Sequence, residues 1–356
     1  MQNTPLALTR FVDVLDRQDL FEILDNDRVL ELSRLGGGGF SGISVLKRST
    51  GINNRRILRP GIAPIDVATT LADELRREVD FKWSDCPAVL LCHSHVDPTR
   101  SLELAKELAD HLELPASRVR GFNLGCAGFM KLLNDGARIA KQTGPGRHVP
   151  LLSVEVPEQW HDAADKAFCG IVSSGAAATT IWQGPGHELL NWNAREVYVP
   201  ADKRNGGRDL FTQEFCEGFD FRGCPQTREV MHMDGESVFL NGVELMLAGC
   251  QEAIKSFDGD QRLVAVPHQP SGKLLRTLIA TARLDLPDVK LLNNLPDFGN
   301  TLSSTIPLAL SRIDEVAACN EIEPLQPGDA VLLTAAGICM QQRADHMTQG
   351  FAALKW

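Results

Sequence analysis

Two stretches of this chain, one in each half, spell the same order of elements. In the first, the apolar run 88–92 reads as a strand, 93–97 as a loop, 101–112 as a helix and Leu112-Glu113-Leu114-Pro115 as a turn. A strand at 119–124 and another helix follow. In the second, 263–267 is a strand, His268 opens a loop, 272–283 is a helix and Leu284-Asp285-Leu286-Pro287 is the matching turn. Then come a strand at 289–292, a loop holding Asn300 and a helix at 301–317. The third strands are 149–156 and 330–334, the latter running into Ala335-Ala336-Gly337-Ile338. Repeated units of this kind predict an α/β fold of two pseudo-twofold related halves, with sheets between helix layers. Ligand sites in such folds lie at strand C-terminal ends, where Cys126, His268 and Asn300 all fall.

Cys126 sits at a joint. Residues 118–124 read as a short buried strand and 127–142 as a helix, with Phe129, Leu132, Leu133, Gly136, Ala137 and Ala140 on one face. A thiol there meets the partial positive charge of the helix start, which favours thiolate. The small residues Gly125, Ala127 and Gly128 permit the sharp strand-to-helix turn that lifts a nucleophile clear of the backbone. The competing reading, a Cys serving as a small buried hydrophobe, ignores those neighbours.

Composition narrows the classes. The 356 residues are enough for two sub-domains, and a net charge of -10 argues against a general nucleic-acid binder. Residues 1–13 do not read as a signal peptide, and no run of 18 apolar residues offers a membrane span. Nine scattered cysteines, an odd number, fit a reducing cytoplasm better than a disulfide framework. Residues 6–15 and 39–47 read as strands joined by a helical stretch at 20–34. Lys47, Arg48, Arg55, Arg56 and Arg59 precede a helix at 64–78, either as a solvated face or as a docking point for phosphates. The Gly-, Asn- and Arg-rich stretch 184–228 reads as a surface insertion over the site. Cys216, Cys224 and His232 match no zinc spacing, so no metal is assigned.

Cys, His and Asn in that order admit papain-like proteolysis or thiolase-type acyl transfer. The separation of Cys126 from His268 suits the first, but the signature around a papain-type cysteine is absent. The motifs Asn123-Leu124-Gly125-Cys126-Ala127-Gly128-Phe129, Val266-Pro267-His268-Gln269 and Phe298-Gly299-Asn300-Thr301 resemble the three active-site motifs of beta-ketoacyl-ACP synthase III, in the thiolase superfamily. Ser49-Thr50-Gly51-Ile52, Ser174-Gly175-Ala176-Ala177-Ala178, Gly235-Glu236-Ser237-Val238-Phe239 and Gly328-Asp329-Ala330-Val331 resemble further segments in order, so the similarity spans nearly the whole chain.

The resemblance implies a thiolase-like five-layered αβαβα fold. One half, 1–185, would carry the nucleophile; the other, 186–356, would carry His and Asn, with an insertion at about 186–228. It implies a cytoplasmic homodimeric acyltransferase with catalytic Cys126, His268 and Asn300. Backbone N–H groups of Cys126 and Ile338 would form the oxyanion hole. Phe239, Ser271, Arg55 and Arg56 are the candidate substrate-binding residues. No cofactor is implied, only acyl-CoA or acyl-carrier-protein thioesters as substrates and partners. The chain departs from the family at Val45 and Ser49, where coenzyme A would be gripped, at Ser174, at Gln269-Pro270-Ser271, and at Ile338-Cys339-Met340 after the last core strand. These departures point to a secondary-metabolic ketoacyl synthase fed by a carrier protein. Lys47, Arg48, Arg55, Arg56, Lys273 and Arg276 would meet its acidic surface. The alternatives are a same-fold transferase acting on an O or N nucleophile without decarboxylation, a non-catalytic partner subunit and a cysteine hydrolase.

Overall fold

The computed structural model describes residues 4–165, 168–341 and 343–356. Strands β1 (Leu6–Leu8) and β2 (Val12–Asp13) lead to an antiparallel pair, β3 (Phe21–Asp25) and β4 (Asn54–Leu58), which brackets helices α1 (Asn26–Leu35) and α2 (Ile43–Thr50). Then come α3 (Pro64–Glu78), β5 (Val89–Cys92), α4 (Thr99–His111), β6 (Val119–Phe122), α5 (Gly128–Thr143), β7 (Val149–Glu155) and β8 (Gly175–Gln183). The second half holds β9 (His187–Tyr198), the hairpin β10 (Phe211–Phe219) and β11 (Pro225–Met233), α6 (Gly235–Ile254), β12 (Leu263–Pro267) and α7 (Gly272–Asp285). It closes with β13 (Val289–Leu291), α8 (Leu295–Phe298), α9 (Thr305–Ser311), α10 (Ile313–Cys319), β14 (Ala330–Ile338) and β15 (His346–Lys355).

The two halves carry the same sheet. β5 lies parallel between β6 and β7, and β8 returns antiparallel against β7. β12 lies parallel between β13 and β14, and β15 returns antiparallel against β14. β1 completes the first sheet beside β8, β9 completes the second beside β15, and β1 also pairs with β9, so the sheets meet along one seam. Helices α5 and α9 lie between the sheets: α5 packs on β7 and β8 and also on β9 and β15. α3 and α4 cover the outer face of the first sheet, and α6 and α7 that of the second. This is the five-layered αβαβα arrangement of the thiolase fold. Coverage on both faces explains why β7 and β14 are buried along their whole lengths and read as largely apolar runs. It also explains α5, whose Gly136 would, with a Cβ, press to 2.8 Å from Leu151 and 2.9 Å from Ile181.

Several expectations need correction. Residues 39–47 are a turn followed by the start of α2, not a strand, and the stretch from 20 begins with β3 before α1. The helix expected at 301–317 is broken by a non-helical Arg312 (φ −120°, ψ 32°) into α9 and α10. The stretch 186–228 is not all insertion. Its first part is β9, a core strand, and only the segment from Val199 to the end of β11 leaves the sheet. Polar residues on β9 hid a strand that is half-buried along most of its length.

Candidate active site

Strand β6 ends at Phe122, and Asn123 clamps the neighbouring loop: its Nδ2 donates to the His95 carbonyl (2.7 Å) and its Oδ1 accepts from the His95 N–H (3.1 Å). Gly125 turns the chain at φ +66°, a conformation that favours glycine. A single 3₁₀ turn, Gly125–Ala127, then delivers Cys126 to the start of α5. Backbone crowds it from across the molecule. A Cβ on Gly337 of β14 would lie 2.6 Å from the Cys126 Cβ, and one on Gly128 would lie 2.9 Å from the Ser303 Cβ. Cys126 is half-buried, and its surroundings push the thiol up to about 12, chiefly by burial and then by the Glu155 carboxylate. Burial and the Glu155 charge thus work against the thiolate that the helix start favours.

His268 follows β12 directly, and its N–H donates to the Thr334 carbonyl of β14 (2.8 Å). The imidazole is completely buried, and neither ring nitrogen has a hydrogen-bond partner. Burial drives it down to about 3, so it is neutral, with one donor and one acceptor unmatched. Asn300 is held by its backbone, donating to Ile171 O (3.0 Å) and accepting from Ser173 N (2.9 Å). Its Oδ1 accepts from Leu302 N (2.9 Å), and its Nδ2 donates to Pro270 O (3.1 Å), on the loop that His268 opens. One Nδ2 hydrogen remains. Gln269 ties that loop down by donating to the Pro267 and Leu292 carbonyls.

Sheet register fixes Ile338. Ala330 N donates to Arg262 O and His268 N to Thr334 O, so even-numbered residues of β14 turn toward β12. Cys339 N donates instead to His346 O, across to the β15 side. β12 ends at Pro267, opposite Thr334. The N–H and C=O of Ile338 therefore project past the end of β12, on the side of Gly125, whose Cβ would lie 3.2 Å from Ile338 O. The Met340 side chain also packs on Gly125, so side chains do fill this turn.

The structure thus brings Cys126, His268, Asn300 and the Ile338 peptide to the C-terminal ends of β6, β12 and β14. The substrate-binding candidates divide. Phe239 is half-buried with Cys126 against one apolar cluster that includes Leu210, Phe211, Met231 and Trp160, so the hairpin insertion helps to line it. Ser271 caps α7, its side chain accepting from Leu274 N. Arg55 is fully buried and spent on Gly170 O, Asn26 Oδ1 and Thr50 Oγ1, and burial lowers it to about 10. It cannot meet a partner. Arg56 is committed to the Leu15 and Asp297 carbonyls. Lys47, Arg48, Lys273 and Arg276 do share an exposed face, where Arg276 donates to Arg48 O (2.8 Å) and Gly51 meets Gly272. Sequence reasoning missed Glu155, whose signal was a lone carboxylate inside the apolar run 149–156.

A thiolase-fold protein with Cys, His and Asn at converging strand ends is the class these features define. Residues 259–344 match the family model for the C terminal of 3-oxoacyl-[acyl-carrier-protein] synthase III. Over 328 residues, 88% of this chain and 89% of the relative, it is 26% identical to beta-ketoacyl-[acyl-carrier-protein] synthase III of Koribacter versatilis. Over 325 residues (87% and 89%) it is 27% identical to the enzyme of that name from Roseiflexus sp.. The crystal structure of 3-oxoacyl-(acyl carrier protein) synthase III from Pseudomonas aeruginosa PAO1 shares the fold, with a TM-score of 0.74, 22% identity and coverage of 99% and 98%. Over most of its length the chain is thus similar to beta-ketoacyl-ACP synthase III, and its C-terminal part matches the model of that family's C-terminal region.

Proposed function

We propose that this protein is an acyltransferase of the beta-ketoacyl synthase type, condensing an acyl group held on Cys126 with a malonyl-type thioester. The observation that carries the reading is the neutral, fully buried His268, both ring nitrogens unmatched, beside an Asn300 amide fixed on the loop that His268 opens. Two neutral donors, both on buried side chains, suit an enolate that forms as carbon dioxide leaves. The carbanion then attacks the thioester on Cys126, whose oxyanion is met by the Cys126 and Ile338 N–H groups. The filled turn at Met340 and the changed positions Val45 and Ser49 support a specialised pathway, with acyl groups presented by a carrier protein rather than coenzyme A. The enzyme would work as a cytoplasmic homodimer.

Intact-protein mass spectrometry tests this. Incubation with a panel of acyl-CoA and acyl-carrier donors should add an acyl mass to Cys126. A malonyl thioester should discharge it with release of carbon dioxide, and Cys126→Ala should lose both events. An adduct that persists in Cys126→Ala would sink the reading. Acylation that is never followed by decarboxylation would hand the site to a transferase using an oxygen or nitrogen acceptor.

A further inference from the structure

Glu155 closes β7 with no exposed surface, in the interior between the two turns that carry the site. Its Oε2 accepts from Ser94 N (3.0 Å), and its Oε1 accepts from the Ser94 hydroxyl (2.9 Å) and from the Ser303 hydroxyl. The Cys92 thiol lies 3.8 Å from the same oxygen. The Ser94 hydroxyl in turn accepts from Gly125 N (3.1 Å), the peptide that sets the direction of Cys126. Ser303 belongs to the turn Leu302–Ser304, whose first N–H is held by Asn300 Oδ1. A single carboxylate therefore joins Gly125, through Ser94, to the turn after Asn300, through Ser303. We infer that Glu155 is a positioning residue that yokes the turn presenting Cys126 to the turn that follows Asn300. The inference rests on the condensing reading, because it assigns one arm to each half-reaction.

The geometry has an electrostatic corollary. The titratable groups facing this carboxyl are Cys92 on β5 and Cys126 on the nucleophile turn; the His93 ring turns away to Val154 O (2.8 Å). The remaining partners are the Ser94 N–H, which stays on Oε2, and the Ser94 and Ser303 hydroxyls, which can donate or accept, so the network survives either charge state of the carboxyl. Burial raises Glu155 to about 7, opposed by those hydrogen bonds. While it is ionised, its charge opposes the Cys126 thiolate.

The test uses the whole protein and needs no substrate for its first arm. Alkylation of Cys126 by iodoacetamide, followed by peptide mapping across pH, reads thiol ionisation directly. Glu155→Gln keeps the shape and removes the charge, so the alkylation profile should move to lower pH by about one pH unit. The second arm separates the half-reactions. Ser94→Ala should slow acylation on the order of tenfold while sparing the condensation of an already acylated enzyme. Ser303→Ala should do the reverse. An alkylation profile that does not move, or serine variants that slow both half-reactions in equal proportion, would overturn the proposal. If Glu155→Gln does not fold, the serine variants decide. Failure of the condensing reading looks different: wild-type Cys126 would alkylate normally yet never take an acyl group, or would take one and never discharge it onto a malonyl thioester with release of carbon dioxide.

Discussion

Burial holds the His268 imidazole neutral down to about pH 3, far below its ordinary value near 6.5. Condensation should accordingly show no loss from His268 protonation between pH 7 and 5, read from rates on pre-acylated enzyme. His161, equally buried with both ring nitrogens unmatched and also driven to about 3, shares the cost to stability. The unfolded chain binds protons that the folded chain refuses, so this stability is present above about pH 6.5 and is lost as pH falls toward 3. Melting temperatures should fall progressively from pH 7 to 5, and His161→Phe should flatten that slope. At the site, Asn300→Ala should leave acylation of Cys126 intact and slow condensation on the order of 10²–10³-fold in single-turnover assays. His268→Ala should match that loss. Cys126 stood out in the sequence by its place at a strand-to-helix joint among small residues, and His268 and Asn300 by their place in the loops of the repeated unit. Arg55 misled, because nothing in a run of basic residues says which side chain turns inward, and a buried guanidinium is identified only by the distant carbonyl of Gly170 that it meets.

Helices and strands with one clean period were legible; those under two influences were not. α3 spans the expected 64–78, started by Pro64 and carrying Val67, Leu71 and Leu75 at helical spacing. β9 escaped notice because it is a half-buried seam strand whose polar residues match neither a solvent-facing nor a core pattern. The close approach of β14 to the nucleophile turn is likewise invisible in sequence, since it depends on a missing side chain at Gly337. Gly337→Ala would drive a methyl group against the Cys126 Cβ, an atom with no freedom to swing aside. The melting temperature should fall through the overpacking, and acylation of Cys126 in the protein that remains folded, followed by stopped-flow or quench, should fall on the order of a hundredfold through misplacement of the thiol.

At the scale of the molecule, the net charge of -10 and the cationic face of Lys47, Arg48, Lys273 and Arg276 pull in opposite directions. A local patch on an acidic body selects partners at short range, and salt weakens it. Raising ionic strength should raise KM for carrier-bound donors while leaving small thioester mimics nearly unaffected. Reversing Lys47 and Arg48 should remove that difference, and equal salt sensitivity for both donor types would count against the patch. The twofold repeat made the layers legible, but how the two sheets join was not, because the joining strand is three residues long. That strand also sets a schedule. Leu6 and Leu8 pair with Gln183 and Ile181, and Ala7 with Glu188, so β1 leaves the ribosome long before any of its partners exists. At ordinary rates of synthesis an apolar strand waits on the order of ten seconds or more without a neighbour. Leu6, Ala7 and Leu8 can be buried only once β8 and β9 have followed them out, so the seam between the sheets closes late relative to its first strand.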